Sequence, residues 1–125
     1  MNVVDSSAWL EYFADGPNAD FFAKAIEKPD QMLVPSITLL EVFKRVMQQR
    51  DESAALQCVA VMQQGRIVDL DAAVALRAAA LCIRHKLPLA DSVVYATAQI
   101  GDAVVWTQDS DFEGLPGVQF RPQQL

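Results

Sequence analysis

The sequence predicts one three-layer α/β/α domain spanning residues 1–125, with a central, mainly parallel sheet of four to five strands. Three observations carry this. Short β-branched apolar runs alternate with longer segments of helical period, and strands spaced by helices require crossover connections, hence parallel pairing. Caps, glycines and prolines fall between these segments, while no internal repeat, linker or low-complexity stretch interrupts them. With 125 residues, 52% hydrophobic and 21% charged, the chain has the length and apolar content for a single packed core.

The first strand covers residues 2–5, and Ser6 or Ser7 is expected to cap a helix running through Ala14. Asp15, Gly16, Pro17 and Asn18 form a turn, after which DFFAKAIEK keeps helical spacing until Pro29. A second strand at 32–34 is closed by Pro35. Ser36 is expected to cap the helix ITLLEVFKRVMQQR, and an acidic break at Asp51 and Glu52 opens another, AALQCVAVMQQ, ended by Gly65. These two helices read as a hairpin inserted between strands. Residues 66–70 make a third strand, and Asp71 caps an alanine-rich helix to about Lys86. Pro88, as the first helical residue, puts Asp91 in the first turn of PLADSVVYATAQI, which Gly101 terminates. A fourth strand at 103–106, the loop DSDFEGLPG and a short fifth strand at 118–120 complete the chain.

The composition narrows the function. No apolar stretch reaches the roughly 20 residues that span a bilayer, and MNVVDSS lacks the regions of a signal peptide, so a cytoplasmic, non-membrane protein is expected. Cys58 and Cys82 lie in apolar helical patterns and read as buried free thiols. With His85 the single histidine, there is no zinc framework. The net charge of -6 argues against tight nonspecific polynucleotide binding, although Lys44, Arg45 and Arg50, and again Arg84, His85 and Lys86, form local basic groups. Those groups serve equally as solvated helix ends.

Four carboxylates stand out: Asp5, Glu41, Asp91 and Asp109, each where an apolar run meets a turn or helix start. Asp5 could be no more than an N-cap, Asp91 a dipole-favoured first-turn acid, and Asp109 the head of an Asx turn in DSD, with Asp111 as a second or water-mediated ligand. Glu41, beside Leu40 and one turn after Ile37, falls near an inward helical face, where an unpartnered carboxylate is costly. Placed at successive strand ends of one sheet, the four acids would share the crevice where such sheets bind ligands. Like charges within about 4–6 Å raise one another's pKa unless a cation intervenes. Oxygen-only donors select Mg²⁺, or Mn²⁺, over zinc or copper, and Ser6 and Thr107 can hydrogen-bond the carboxylates or an ion-bound water. Metal-assisted phosphoester hydrolysis follows, since no GxSxG, phosphate loop or dinucleotide fingerprint is present.

Together VVDSSAWLEYF, the S-x-x-x-x-E of SITLLE, LPLADSVVYATA and the T-x-D-x-D-F of TQDSDF resemble the motifs of the PIN-domain ribonucleases, most closely the VapC-type toxins of bacterial toxin-antitoxin pairs. The resemblance covers nearly the whole chain. It implies a PIN-like fold and an Mg²⁺-holding quartet of Asp5, Glu41, Asp91 and Asp109, with Asp111 accessory. It implies an endoribonuclease using a metal-activated water, with structured RNA, often transfer RNA, as substrate. A homodimer and a VapB-type antitoxin lying along a hydrophobic groove are also implied. Ser7 departs from the family's frequent Asn two residues after the first acid. The aromatic stripe of Trp9, Tyr12 and Phe13, with Phe21 and Phe22, is expected to be core, in part partner groove.

Two other classes compete. A phosphorylatable receiver-like signalling domain shares the size and acidic site, but it would want a lysine after a late strand, where QDSDF offers none. A binding module could hold metal for stability alone.

Overall fold

The structure is a computed structural model that describes residues 1–124. Its elements follow the order β1 (Asn2–Val4), α1 (Ser6–Phe13), α2 (Ala19–Ile26), a 3₁₀ turn (Pro29–Gln31), β2 (Met32–Pro35), α3 (Ser36–Gln49), α4 (Glu52–Met62), β3 (Arg66–Val68), α5 (Ala72–His85), α6 (Leu89–Ile100), β4 (Val104–Thr107), a second 3₁₀ turn (Ser110–Phe112) and β5 (Val118–Phe120). The five strands lie in the order β3-β2-β1-β4-β5 and every pairing is parallel, so the sheet is entirely rather than mainly parallel.

That order has one functional consequence. From β1 the chain lays β2 and β3 to one side, then returns to place β4 and β5 on the other. The switch therefore falls between β1 and β4, where the flanking connections leave in opposite directions and open a crevice beyond the carboxyl ends of the strands. The register Val4↔Trp106 sets Asp5 and Thr107 side by side at its mouth.

Strand alternation divides the core. Val3 faces one layer, with Val74, Ala78, Leu81, Val94 and Val105, which the α5–α6 hairpin covers. Val4 faces the other, with Trp9, Phe22, Met32, Val34, Val42 and Met62, beneath α1 to α4. Sheets buried on both faces read as unbroken apolar runs, as the inner strands β2 and β4 do, whereas the edge strands β3 and β5 carry an exposed Arg66 and Gln119. Of the aromatic stripe, Trp9 and Phe22 are fully buried, whereas Tyr12, Phe13 and Phe21 only edge the core. No helix among the described residues is long and apolar enough to cross a membrane.

Several expected caps are corrected. Asp5, not Ser6 or Ser7, is the N-cap of α1, because its carboxylate, one residue earlier, accepts from the Ser7 amide. Pro35 rather than Ser36 caps α3, and no side chain caps that helix; Ser36 Oγ instead accepts from the Leu70 amide at 3.3 Å. Pro88 is itself the cap of α6, which makes Leu89 its first residue and still leaves Asp91 in the first turn. Asp51 and Asp71 cap α4 and α5 through bonds of 2.8 and 2.9 Å. Cys58 and Cys82 are free but only half-buried, not buried as expected.

Candidate metal centre

Asp5 leaves β1 in extended conformation (φ -69, ψ 156) and turns the chain into α1. This geometry points its carboxylate across the crevice at 1% exposure. One oxygen, Oδ2, accepts from Ser7 Oγ at 2.7 Å, from Thr107 Oγ1 at 3.0 Å and, at longer range, from the Ser7 amide at 3.4 Å. Thr107 is itself fully buried and accepts from the Asp109 amide at 2.9 Å. A single threonine thus ties the first acid to the backbone of the fourth. Burial nevertheless dominates, and it pushes the Asp5 carboxyl up from 3.8 to about 6 against the lowering effect of these donors.

Asp91 stands in the first turn of α6 at 9% exposure. Its pKa is raised from 3.8 to about 8, by burial first and then by the charges of Asp5 and Asp109. Asp109 caps the second 3₁₀ turn, its Oδ1 accepting from the Asp111 amide at 2.9 Å. One carboxylate oxygen from each of Asp91, Asp109 and Asp111 lies within 4.8 Å of the others. Both acids of the DSD sequence therefore join the group; the turn brings Asp111 around beside Asp109.

Glu41 holds a more peripheral place. It lies in the second turn of α3, half-buried, and its Oε1 accepts from Ser6 Oγ at 2.7 Å. Its charge reaches Asp5 but it is outside the three-acid group. The expectation that all four acids sit at strand ends is thus corrected. Asp5 and Asp109 follow β1 and β4, whereas Glu41 and Asp91 are carried in by helices, α6 following α5 rather than a strand. Convergence comes from packing of those helices over the switch. Ser6 and Thr107, foreseen as supporting hydroxyls, make the bonds expected of them. Ser7 was not foreseen in that role, although a serine two residues after an N-cap aspartate is a common local partner.

Three carboxylates with oxygens within 4.8 Å of one another, a buried fourth beside them and hydroxyls as the neighbouring donors make an all-oxygen donor set of concentrated negative charge. Such a set suits a hard divalent cation. Burial first, and the neighbouring carboxylates after it, raise the Asp5 and Asp91 carboxyls, and a bound cation would act against both effects.

Comparison with known proteins gives a match to the PIN domain over residues 3–118. Among solved structures, a toxin-antitoxin complex from Klebsiella pneumoniae has a chain with TM-score 0.82 and 25% identity, covering 100% of both chains. The Mycobacterium tuberculosis toxin VapC20, described as cleaving the sarcin-ricin loop, gives 0.81 and 19%, over 98% of this chain and 100% of that one. A DNA-bound VapBC from Salmonella typhimurium gives 0.73 and 18%, over 98% and 97%. The comparison with curated proteins yields no match by sequence.

Proposed function

The chain belongs to the PIN-domain family, and from that premise we propose that it is a divalent-metal-dependent endoribonuclease acting as the toxin of a toxin-antitoxin pair. The single observation that carries this reading is the meeting of Asp91, Asp109 and Asp111 within 4.8 Å at the β1/β4 switch, beside buried Asp5. The likeness to the Klebsiella complex supports the toxin role, and the likeness to VapC20 supports RNA as substrate.

In this reading Asp5, Asp91 and Asp109 hold Mg²⁺, with Mn²⁺ as substitute, while Asp111 and Glu41 complete the acidic wall. The bound ion would polarise a phosphodiester and supply the counter-charge for its hydrolysis. Ser7 and Thr107 fix the Asp5 carboxylate in one rotamer, and Ser6 orients Glu41. Without an ion Asp5 and Asp91 are raised to about 6 and about 8, so binding the ion near neutrality would release protons from them. Transfer RNA is the proposed target class, and the cytoplasm the proposed location. A VapB-type antitoxin is the proposed inhibitor. A groove of about 390 Å³ between α1, α3 and α4, lined by Leu10, Phe13, Val46, Ala54 and Val61, offers it an apolar seat. A homodimer would cover part of the exposed apolar surface that Leu76, Ile83 and Leu89 leave on α5 and α6.

The test is end-mapping of cellular RNA after induction of the wild-type chain and of Asp5→Asn. Discrete new 5′ ends with wild type, absent with Asp5→Asn and abolished by chelation in the purified reaction, are expected. Equal cleavage by an Asp5→Asn, Asp91→Asn double variant would overturn the assignment.

A further inference from the structure

Next to the acidic cluster the chain forms a second concavity, of about 430 Å³, that shares Ser7 and Asp109 with it. One wall is the loop after β4, with Gln108, Ser110 and Glu113, and the other is the exit of β5, with Phe120 and Pro122. Parallel pairing Thr107↔Phe120 brings the two walls together, and the Arg121 amide donates to the Thr107 carbonyl at 3.1 Å.

A residue from the far side of the sequence fixes both walls. Asn18 is fully buried, and its Nδ2 donates to Gln108 Oε1 at 3.1 Å and to the Pro122 carbonyl at 3.0 Å. Its Oδ1 accepts from Gln124 Nε2 at 3.1 Å, and its own amide donates to Glu11 Oε2 at 2.8 Å. Arg121 lies over the Phe21 ring at 4.2 Å. The concavity is therefore set in place by bonds internal to the protein, and a ligand need not organise it.

Its chemistry selects a ligand class. The charged side chains that line it are Asp109 and Glu113, so a phosphate would meet repulsion there. Phe120, half-buried, offers an aromatic face, and the surrounding hydroxyls and amides offer hydrogen bonds. A flat ring with a polar edge satisfies both, and stacked unpaired bases are how single-stranded RNA is usually held. The Glu113 carboxylate accepts through two oxygens, which favours guanine, whose N1–H and exocyclic amino group can donate side by side, over uracil, which offers only its N3–H.

We propose that this concavity is a nucleobase subsite, in which an unpaired base neighbouring the scissile phosphate stacks on Phe120 and donates its amino group to Glu113, with Asn18 as the positioning residue. The inference rests on RNA as the substrate, and it adds a specificity element to the acidic centre.

The experiment titrates ¹⁵N-labelled full-length protein with guanosine and, separately, uridine, while RNA cleavage is mapped in parallel. Guanosine should shift amides in segments 108–113 and 118–123. Phe120→Leu should weaken that binding roughly tenfold or more, Phe120→Tyr should retain it, and Glu113→Gln should bring guanosine and uridine close to parity. Thermal melts establish that the variants are folded. Guanosine shifts confined to other segments, or unchanged by folded Phe120→Leu, would overturn the subsite. RNA cleavage by Phe120→Leu with unaltered KM and base preference would overturn it too, leaving the nuclease reading intact. Guanosine bound as described by a chain that cuts no RNA would support the subsite and sink the nuclease reading.

Discussion

Thr107 Oγ1 donates to Asp5 Oδ2 at 3.0 Å while accepting from the Asp109 amide at 2.9 Å, so one buried hydroxyl aligns two acids separated by more than a hundred residues of chain. Thr107→Val keeps the shape and removes both bonds. The protein should lose about 1–3 kcal/mol of stability, the cost of buried groups left unpaired. Thr107→Ser should recover most of it. Urea denaturation of the three proteins checks this, and equal midpoints for Val and wild type would deny the hydroxyl any structural role.

The cluster makes metal-free stability depend on pH, with a definite sign. A carboxyl whose native pKa lies above its ordinary 3.8 holds its proton more tightly when folded. The stabilisation is complete below that value and is lost as pH rises through about 6 for Asp5 and about 8 for Asp91. Melting temperature measured in EDTA should therefore contain a component that falls between about pH 4 and pH 8; Asp91→Asn should lose the part above about pH 6 and keep the Asp5 part below it. Saturating Mg²⁺ should flatten it, because the ion replaces the protons. Apparent Mg²⁺ affinity should rise over the same range, measurable by calorimetry.

Asp91→Asn separates function from stability. Removing one charge from beside Asp5 and Asp109 relieves repulsion, so the metal-free variant should melt higher than wild type at pH 8. Its Mg²⁺-induced rise in melting temperature should be largely gone, and with it RNA cleavage. A variant that melts lower than wild type without metal would contradict the electrostatic account.

Asn18→Ala tests the brace between the loop after β4 and the carboxyl-terminal segment. It leaves the Pro122 carbonyl and the Gln108 and Gln124 amides without their buried partner. A loss of about 1–3 kcal/mol is expected. Amide exchange should quicken at 108–113 and 120–124 and stay unchanged in α5. Uniform change across the chain would indicate a global rather than a local role.

Much of the fold was legible because local chemistry states it. Asp51 and Asp71 announce helix starts, Gly101 an end, and the β-branched runs at 3–4 and 104–105 are strands, with Val3, Val4 and Val105 buried. The caps misplaced by one residue at Asp5, Pro35 and Pro88 show the limit. A run such as VPS or VVDSS contains adjacent residues able to cap, and the choice depends on where the strand's last hydrogen bond falls.

The acidic residues were individually visible, but their grouping was not. Asp111 looked secondary to Asp109 and proved its equal in proximity, because the 3₁₀ turn at 110–112 folds the chain back. Glu41 looked the hardest to explain away, yet its partner is Ser6 and it stands outside the group. Asn18, a turn residue by every local sign, turned out to brace the segment next to Asp109. The sequence by itself determined the elements, the parallel three-layer class and the residue types able to bind a hard cation, since these depend on periodicity, capping and donor chemistry within a few neighbours. Tertiary structure alone decided which acids meet, which hydroxyls hold them and where the second concavity lies. Those distances are set by strand order and helix packing, which bring together residues whose separation along the chain carries no local trace.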